Sequence, residues 1–200
     1  MENKETINES ISKLAEKKVI RVKEIPDVPL FKTKEEARKM FEEVALMVDK
    51  TIKELKWLPE YDKVIDWMVS PNRKGLFLAG NSGRLKTTIT NLILPVLYYH
   101  IHKMIVRAVN SDKIDESINM FISYPIINID DIGVEPPIND FGVKRESVNT
   151  LIDFCEKNSK LLIMTSNLSS KQIDARYGTR TLDRIDLLCE TIWFNGESLR

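Results

Sequence analysis

Apolar residues recur at helical spacing over Ala37, Met40, Phe41, Val44 and Met47, and Thr33 with Glu36 makes a capping-box signature ahead of them. The pattern predicts a helix running to about Lys56. Pro59 opens a shorter one, with Tyr61, Val64, Ile65 and Met68 on one face. From Gly75 the texture changes. Short apolar runs at Gly75–Ala79, Ile105–Val109, Ile126–Ile129, Leu161–Thr165 and Thr191–Phe194 alternate with helical stretches at Thr87–Tyr99 and Val143–Lys157. Continuous apolar strands alternating with helices indicate an α/β fold, with a parallel sheet covered on both faces. Ahead of it, Met1–Lys23 mixes charges with scattered Ile and Leu, the pattern of a frayed helix or docking arm. Ile25–Leu30, with Pro26 and Pro29, reads as an extended linker. The expected organisation is an N-terminal helical arm and linker over residues 1–56 and a core over 57–200.

Composition narrows this picture. A chain of 200 residues that is 42% hydrophobic suits one core. Thirty basic and thirty acidic residues cancel, so no global field draws the protein onto nucleic acid. DNA contact would need a local patch. Lys171, Arg176, Arg180 and Arg184 offer one, although a subunit interface accounts for them equally well. Cys155 and Cys189 lack metal spacing and read as a reduced pair. His100 and His102 mark a helix end, and Trp57 and Trp67 read as packing anchors. No run is apolar enough for a signal peptide or membrane helix, so a cytoplasmic location without membrane contact is expected.

The most informative stretch follows the first strand: Gly80-Asn81-Ser82-Gly83-Arg84-Leu85-Lys86-Thr87-Thr88. A glycine-punctuated loop that opens a helix with Lys-Thr presents backbone N–H groups to phosphate oxygens. Lys86 can reach the β- and γ-phosphates of ATP, and the Thr87 hydroxyl can ligate Mg²⁺. The usual pattern has glycine directly before the lysine, where this chain has Leu85. A left-handed backbone there would cost a non-glycine residue roughly 1–2 kcal/mol, which predicts weakened or abolished nucleotide binding. The plain alternative is a strand–turn–helix with a chance Lys-Thr.

Two acids, Asp130 and Asp131, close the strand at Ile126–Ile129, and ligands of open α/β sheets sit beyond such strand ends. Asp130 suits Mg²⁺ held through water, and Asp131 suits orienting and deprotonating an attacking water. From Ile114 to Val143 there are six acids and no Lys or Arg, so nothing near in sequence neutralises the pair. An Asp-Asp turn is also an ordinary capping signal. Asn167, at the tip of the fourth strand, either contacts the γ-phosphate and the water or caps the next turn.

These sites in this order, followed by Arg176-Tyr-Gly-Thr-Arg180-Thr-Leu-Asp183-Arg184-Ile, resemble the AAA+ ATPases of the DnaC/IstB helicase-loader type. Within that type the chain is most similar to DnaC-like ATPases of bacterial mobile elements. Trp-Leu-Pro-Glu-Tyr at Trp57–Tyr61 and Gly-Glu-Ser-Leu-Arg at Gly196–Arg200 fit as well. The resemblance implies a three-layer P-loop fold with a five-stranded sheet, an N-terminal helical extension and an absent or reduced lid. It implies ATP bound between subunits of an oligomer, with Arg184 as the finger reaching a neighbour's nucleotide, Arg180 its companion and Arg200 a second sensor arginine in cis. It also implies a replicative helicase and single-stranded DNA as partners. The other reading is an adaptor, disabled for turnover by Leu85, that binds a helicase or a transposase.

Overall fold

The computed structural model describes residues 6–17, 29–71, 74–114, 118–135, 138–140, 143–145 and 147–198. Five parallel strands form the central sheet: β1 (Gly75–Gly80), β2 (Val106–Asn110), β3 (Ile126–Ile132), β6 (Leu161–Ser166) and β7 (Cys189–Phe194). Their order across the sheet is β2-β3-β6-β1-β7. Between β3 and β6 in the chain lies an antiparallel hairpin of β4 (Ile138–Asp140) and β5 (Val143–Arg145).

Strand side chains alternate between the two faces, and each face feeds its own core. Leu76, Leu78, Ile126, Ile163 and Phe194 point to one side. They pack there against Phe41 of α2 (Lys34–Val48), Tyr61 and Val64 of α3 (Pro59–Val69), and Leu97 of α5 (Leu94–His102). Phe77, Ala79, Ile127, Ile129, Leu162 and Met164 point to the other. They meet Leu151 of α6 (Ser147–Lys157), Ile173 of α7 (Ser170–Tyr177) and Ile185 of α8 (Thr179–Leu188). The layers are helix, sheet and helix. At the N-terminal end, α1 covers Ile7–Glu16, and residues 18–28, with most of the expected linker, lie outside the described residues. Trp57 and Trp67 are packing anchors. Trp57 stacks edge-on against Phe41 and Tyr61, and the buried Trp67 donates its indole N–H to the Lys74 carbonyl at 2.9 Å.

Three helices differ from the sequence expectation. The helix α2 ends at Val48 and not near Lys56, because Asp49 turns the chain: its Oδ1 accepts from the Thr51 N–H and hydroxyl at 3.0 and 2.6 Å. The helix expected from Val143 begins at Ser147, because the backbone of Val143–Arg145 pairs with Ile138–Asp140. The long helix after β1 is interrupted. A three-residue α4 (Lys86–Thr88) passes into a π turn over Ile89–Ile93 before α5. Pro95 supplies the reason, since its ring would press on the carbonyl four residues back in a regular α-turn, and the wider turn relieves this.

Candidate nucleotide site

The loop after β1 turns through two left-handed residues, Gly83 at φ 72° and Leu85 at φ 63° and ψ 12°. Leu85 therefore takes the conformation in which glycine carries no penalty, and it makes no capping hydrogen bond with its side chain. Its side chain is half-buried against the core under α2 and α3. The N–H groups of the first helical turn, starting at Lys86, have no intrahelical acceptor. Gly80, at φ 113°, has no room for a side chain, since a Cβ would lie 2.3 Å from the Phe194 carbonyl oxygen.

Lys86 is buried, and its ammonium donates to the carbonyls of Gly80 at 2.8 Å and Asn81 at 2.7 Å and to Asn167 Oδ1 at 2.9 Å. Three acceptors take the three donors of the ammonium group. Burial pulls the Lys86 pKa below its ordinary value, an effect that nearby Asp131 opposes.

The strand end that carries the acids is bulged. The β3–β6 register shifts between Ile129 and Ile132, and Asp131 sits at φ 58°. A bulge re-aims side chains, and here it separates the two carboxylates. The freed backbone is satisfied by hydroxyls: the Asp131 N–H donates to Thr165 Oγ1 at 2.7 Å, and Ser111 donates to the Asp131 carbonyl at 2.9 Å. Asp130 points inward and is 7% exposed. It accepts from Thr165 Oγ1 at 2.6 Å, Asn91 Nδ2 at 2.8 Å and Thr87 Oγ1 at 3.2 Å. Asp131 faces the cavity and accepts from Asn167 Nδ2 at 2.8 Å. Burial, together with the charges of Asp130 and Glu135, pushes the Asp131 pKa above the usual carboxylate value, and Lys86 opposes the rise.

Ser82, Gly83, Leu85, Lys86, Thr87, Thr88, Asp131 and Asn167 line a cavity of about 170 Å³ at this point. Gly83, Leu85 and Thr88 also form one wall of a larger cleft, about 560 Å³, whose other wall is the segment Asp49–Lys56 between α2 and α3. The paired Thr87 hydroxyl and Asp130 carboxylate are hard oxygen donors of the kind Mg²⁺ takes. Among the described residues no cluster of three His, Cys, Asp or Glu side chains offers another metal site.

Lys86, Thr87, Asp130, Asp131 and Asn167 thus come together. The arginines do not join them. The Arg84 guanidinium turns away from the cavity and pairs with the buried Glu60 at 2.7 Å. Arg180 and Arg184 line a separate cleft of about 500 Å³ between α6 and α8. There Arg184 pairs with Asp153 through Nη1 and with Glu156 through Nε at 3.2 Å. Arg200 lies outside the described residues. Arg176 is not a free basic group either: it donates to the carbonyls of Gly133, at 2.8 Å, and Glu135, and pairs with the Glu135 carboxylate at 3.4 Å. So one of the acids after β3 is neutralised by a residue distant in sequence. Cys155 and Cys189 are free thiols buried in the core, and burial pushes Cys155 up to about 12.

Sequence reasoning missed Thr165 and Asn91. Asn91 follows Thr87 by one helical turn, and a polar residue four positions beyond the Lys-Thr pair was a readable sign that it shares the Thr87 face. Thr165 had no such sign, since its role depends on the bulge in β3.

A glycine loop running into Lys-Thr, two acids on a bulge of β3 and a polar tip on β6 are all carried at the carboxyl edge of one sheet, and this is the P-loop AAA+ fold. Solved structures agree. The chain is similar to DnaI, with 17% identity over 79% of this chain and 94% of that one, at a TM-score of 0.58. It is similar also to the DnaC helicase loader, with 17% identity over 76% of this chain and 98% of that one, at a TM-score of 0.60. At this identity the likeness is one of fold. No protein-family model and no curated protein matches the chain. Among the described residues no helix is long and apolar enough to cross a membrane.

Proposed function

We propose that this chain binds ATP with Mg²⁺ and hydrolyses it, and that it uses the cycle to bring a replicative helicase to single-stranded DNA in the cytoplasm. The observation that carries the nucleotide reading is the convergence of Lys86, Thr87, Asp131 and Asn167 around one cavity, with Asp130 bonded to Thr87 at its base. Lys86 and the first-turn N–H groups take the phosphates. The larger cleft beside Leu85 is continuous with this wall and has the volume for a base and sugar. Thr87 and Asp130 would hold Mg²⁺, which would supply positive charge against the phosphates. Asp131 takes the proton of the attacking water, and its raised pKa makes it a better base than an ordinary carboxylate. Asn167 bridges Lys86 and Asp131, and so ties the phosphate contact to the water-activating group.

The helicase partner rests on likeness to the DnaC helicase loader, and single-stranded DNA on the sequence resemblance. Arg184 sits in a cleft of its own, so its catalytic part requires a second subunit. Two observations favour the adaptor reading instead: every donor of Lys86 is already taken by the protein, and Leu85 holds a strained conformation.

Titration of the purified chain with ATP and ADP in Mg²⁺, with and without single-stranded DNA, separates the two. The ATPase reading expects Mg²⁺-dependent binding, lost in Lys86→Ala, and phosphate release that rises with DNA. ATP binding without turnover under any condition moves the function to the adaptor. If Lys86→Ala binds like the parent, the loop is not the site.

A further inference from the structure

Two stretches singled out in the sequence have no part in the chemistry above: Trp57–Tyr61 and the segment starting at Gly196. They meet at Arg84. The Arg84 guanidinium donates through Nη2 to Glu60 Oε1 at 2.7 Å and through Nη1 to the Glu197 carbonyl at 2.9 Å. The two side chains are 7% and 10% exposed. The same Glu60 oxygen accepts the Asn195 N–H at 3.1 Å. The segment after β7 is also tied to the loop through Asn81, which donates to the carbonyls of Phe194 and Gly196, both at 2.8 Å. Contact here is tight. A Cβ on Gly196 would stand 3.0 Å from Arg84 Nη1, and one on Gly83 would strike Ser198 Oγ.

Stability is a poor explanation for these charges. A buried ion pair gains little over apolar residues of the same volume. This one also leaves Glu60 Oε2 and Arg84 Nε buried without partners. Position is a better explanation. Arg84 directly precedes Leu85, and a strained backbone persists only where its surroundings over-determine it. Leu85 has no polar side chain with which to tie down its own turn, whereas its neighbour is fastened to α3 and to the chain after β7.

We propose that Glu60 and Arg84 are positioning residues for the nucleotide site, holding the phosphate loop in its phosphate-accepting shape in place of the missing glycine. The inference rests on the nucleotide-binding reading and adds to it a cross-brace between the loop, α3 and the segment after β7. Loop and brace then form one unit, and a glycine at position 85 makes the brace dispensable.

The test uses Arg84→Met, Glu60→Gln, the paired apolar variant Glu60→Met/Arg84→Met, and each of these combined with Leu85→Gly. Three quantities are measured: hydrogen exchange of amides 81–87 without nucleotide, Mg²⁺–ATP affinity by calorimetry, and the unfolding midpoint. The paired apolar variant strands no charge but leaves the Asn195 N–H and the Glu197 carbonyl without these partners, so its midpoint falls less than that of Arg84→Met, which strands the Glu60 carboxylate. Its loop amides nevertheless exchange about tenfold faster and its affinity falls about tenfold, the size of the left-handed cost. In the Leu85→Gly background that loss of affinity shrinks to within a factor of about two. Should Arg84→Met fail to fold, the paired variant carries the test. Parent-like loop exchange in the paired variant overturns the proposal, and so does an equal loss of affinity with leucine or glycine at position 85. If neither the parent nor Leu85→Gly binds Mg²⁺–ATP, the nucleotide reading falls by itself, and the exchange data still decide whether the pair holds the loop.

Discussion

The Thr87 hydroxyl and the Asp130 carboxylate, 43 residues apart in the chain, meet at 3.2 Å. One stands at the first turn after the phosphate loop and the other at the end of β3, so their contact fixes the distance between helix and strand end where a divalent ion would sit. Asn91 and Thr165 hold the same carboxylate from either side.

Asp130→Asn should therefore damage both fold and function. The new amide group would face at least one of three donors in a buried position, and an unsatisfied pairing of that kind costs about 1–3 kcal/mol. A thermal melt should show a lowered midpoint. Calorimetry with ATP should show that added Mg²⁺ no longer tightens binding as it does in the parent.

Asp131→Asn should behave in the opposite way. The folded pKa of Asp131 lies above its ordinary 3.8, so the ionised side chain opposes folding at neutral pH, and this cost fades as the pH falls through the raised folded pKa towards 3.8. Asparagine keeps the acceptor for Asn167 and removes the charge. The midpoint at pH 7 should rise by about 2 °C, a gain absent at pH 3. Phosphate release should be lost while ATP still binds. In the parent, the acid limb of turnover should lie above pH 3.8. A midpoint that does not change with this substitution at pH 7 would count against the buried, mutually repelling acids described here.

The central sheet was legible because its strands are continuous apolar runs; Asp130, Asp131 and Asn167 were legible because they close such runs, and Lys86 and Thr87 because they open a helix after a glycine-punctuated loop. What the sequence hid depends on contacts between distant segments. The bulge at Asp131 follows from hydroxyls on β6 and at Ser111. Arg84 reads as a phosphate-loop residue until Glu60 draws its side chain out of the cavity. The hairpin at β4 and β5 hid because Val143 and Lys144 continue smoothly into a helical pattern. Helix α2 stopped early because of one Asp49 turn, which looks in sequence like any charged helical position.

Leu85→Gly should tighten Mg²⁺–ATP binding by at most about one decade, because the left-handed conformation observed at Leu85 costs a non-glycine residue roughly 1–2 kcal/mol and the Arg84–Glu60 brace offsets part of it. The same change removes a half-buried side chain from the core under α2 and α3, so the unfolding midpoint should not rise with the affinity. Lys86→Ala in either background should abolish binding. Affinity unchanged by Leu85→Gly would mean that the strain at position 85 is not what limits this site.

Arg184 should act on a neighbour's nucleotide. In its own subunit it lines the cleft between α6 and α8 and pairs with Asp153 and Glu156, apart from the cavity that holds Lys86. Both partners are partly exposed, and ion pairs of this kind contribute about 0–1 kcal/mol, so Arg184→Ala should barely move the unfolding midpoint. It should nevertheless abolish phosphate release, and Lys86→Ala should do the same. Mixed in equal amounts, the two inactive variants should recover activity at roughly a quarter of the interfaces, those joining an intact loop to an intact arginine. The assay belongs near the concentration at which subunits associate, with single-stranded DNA present. No recovery from an oligomer that demonstrably exchanges subunits would remove Arg184 from the catalytic machinery and leave it as the partner of Asp153 and Glu156.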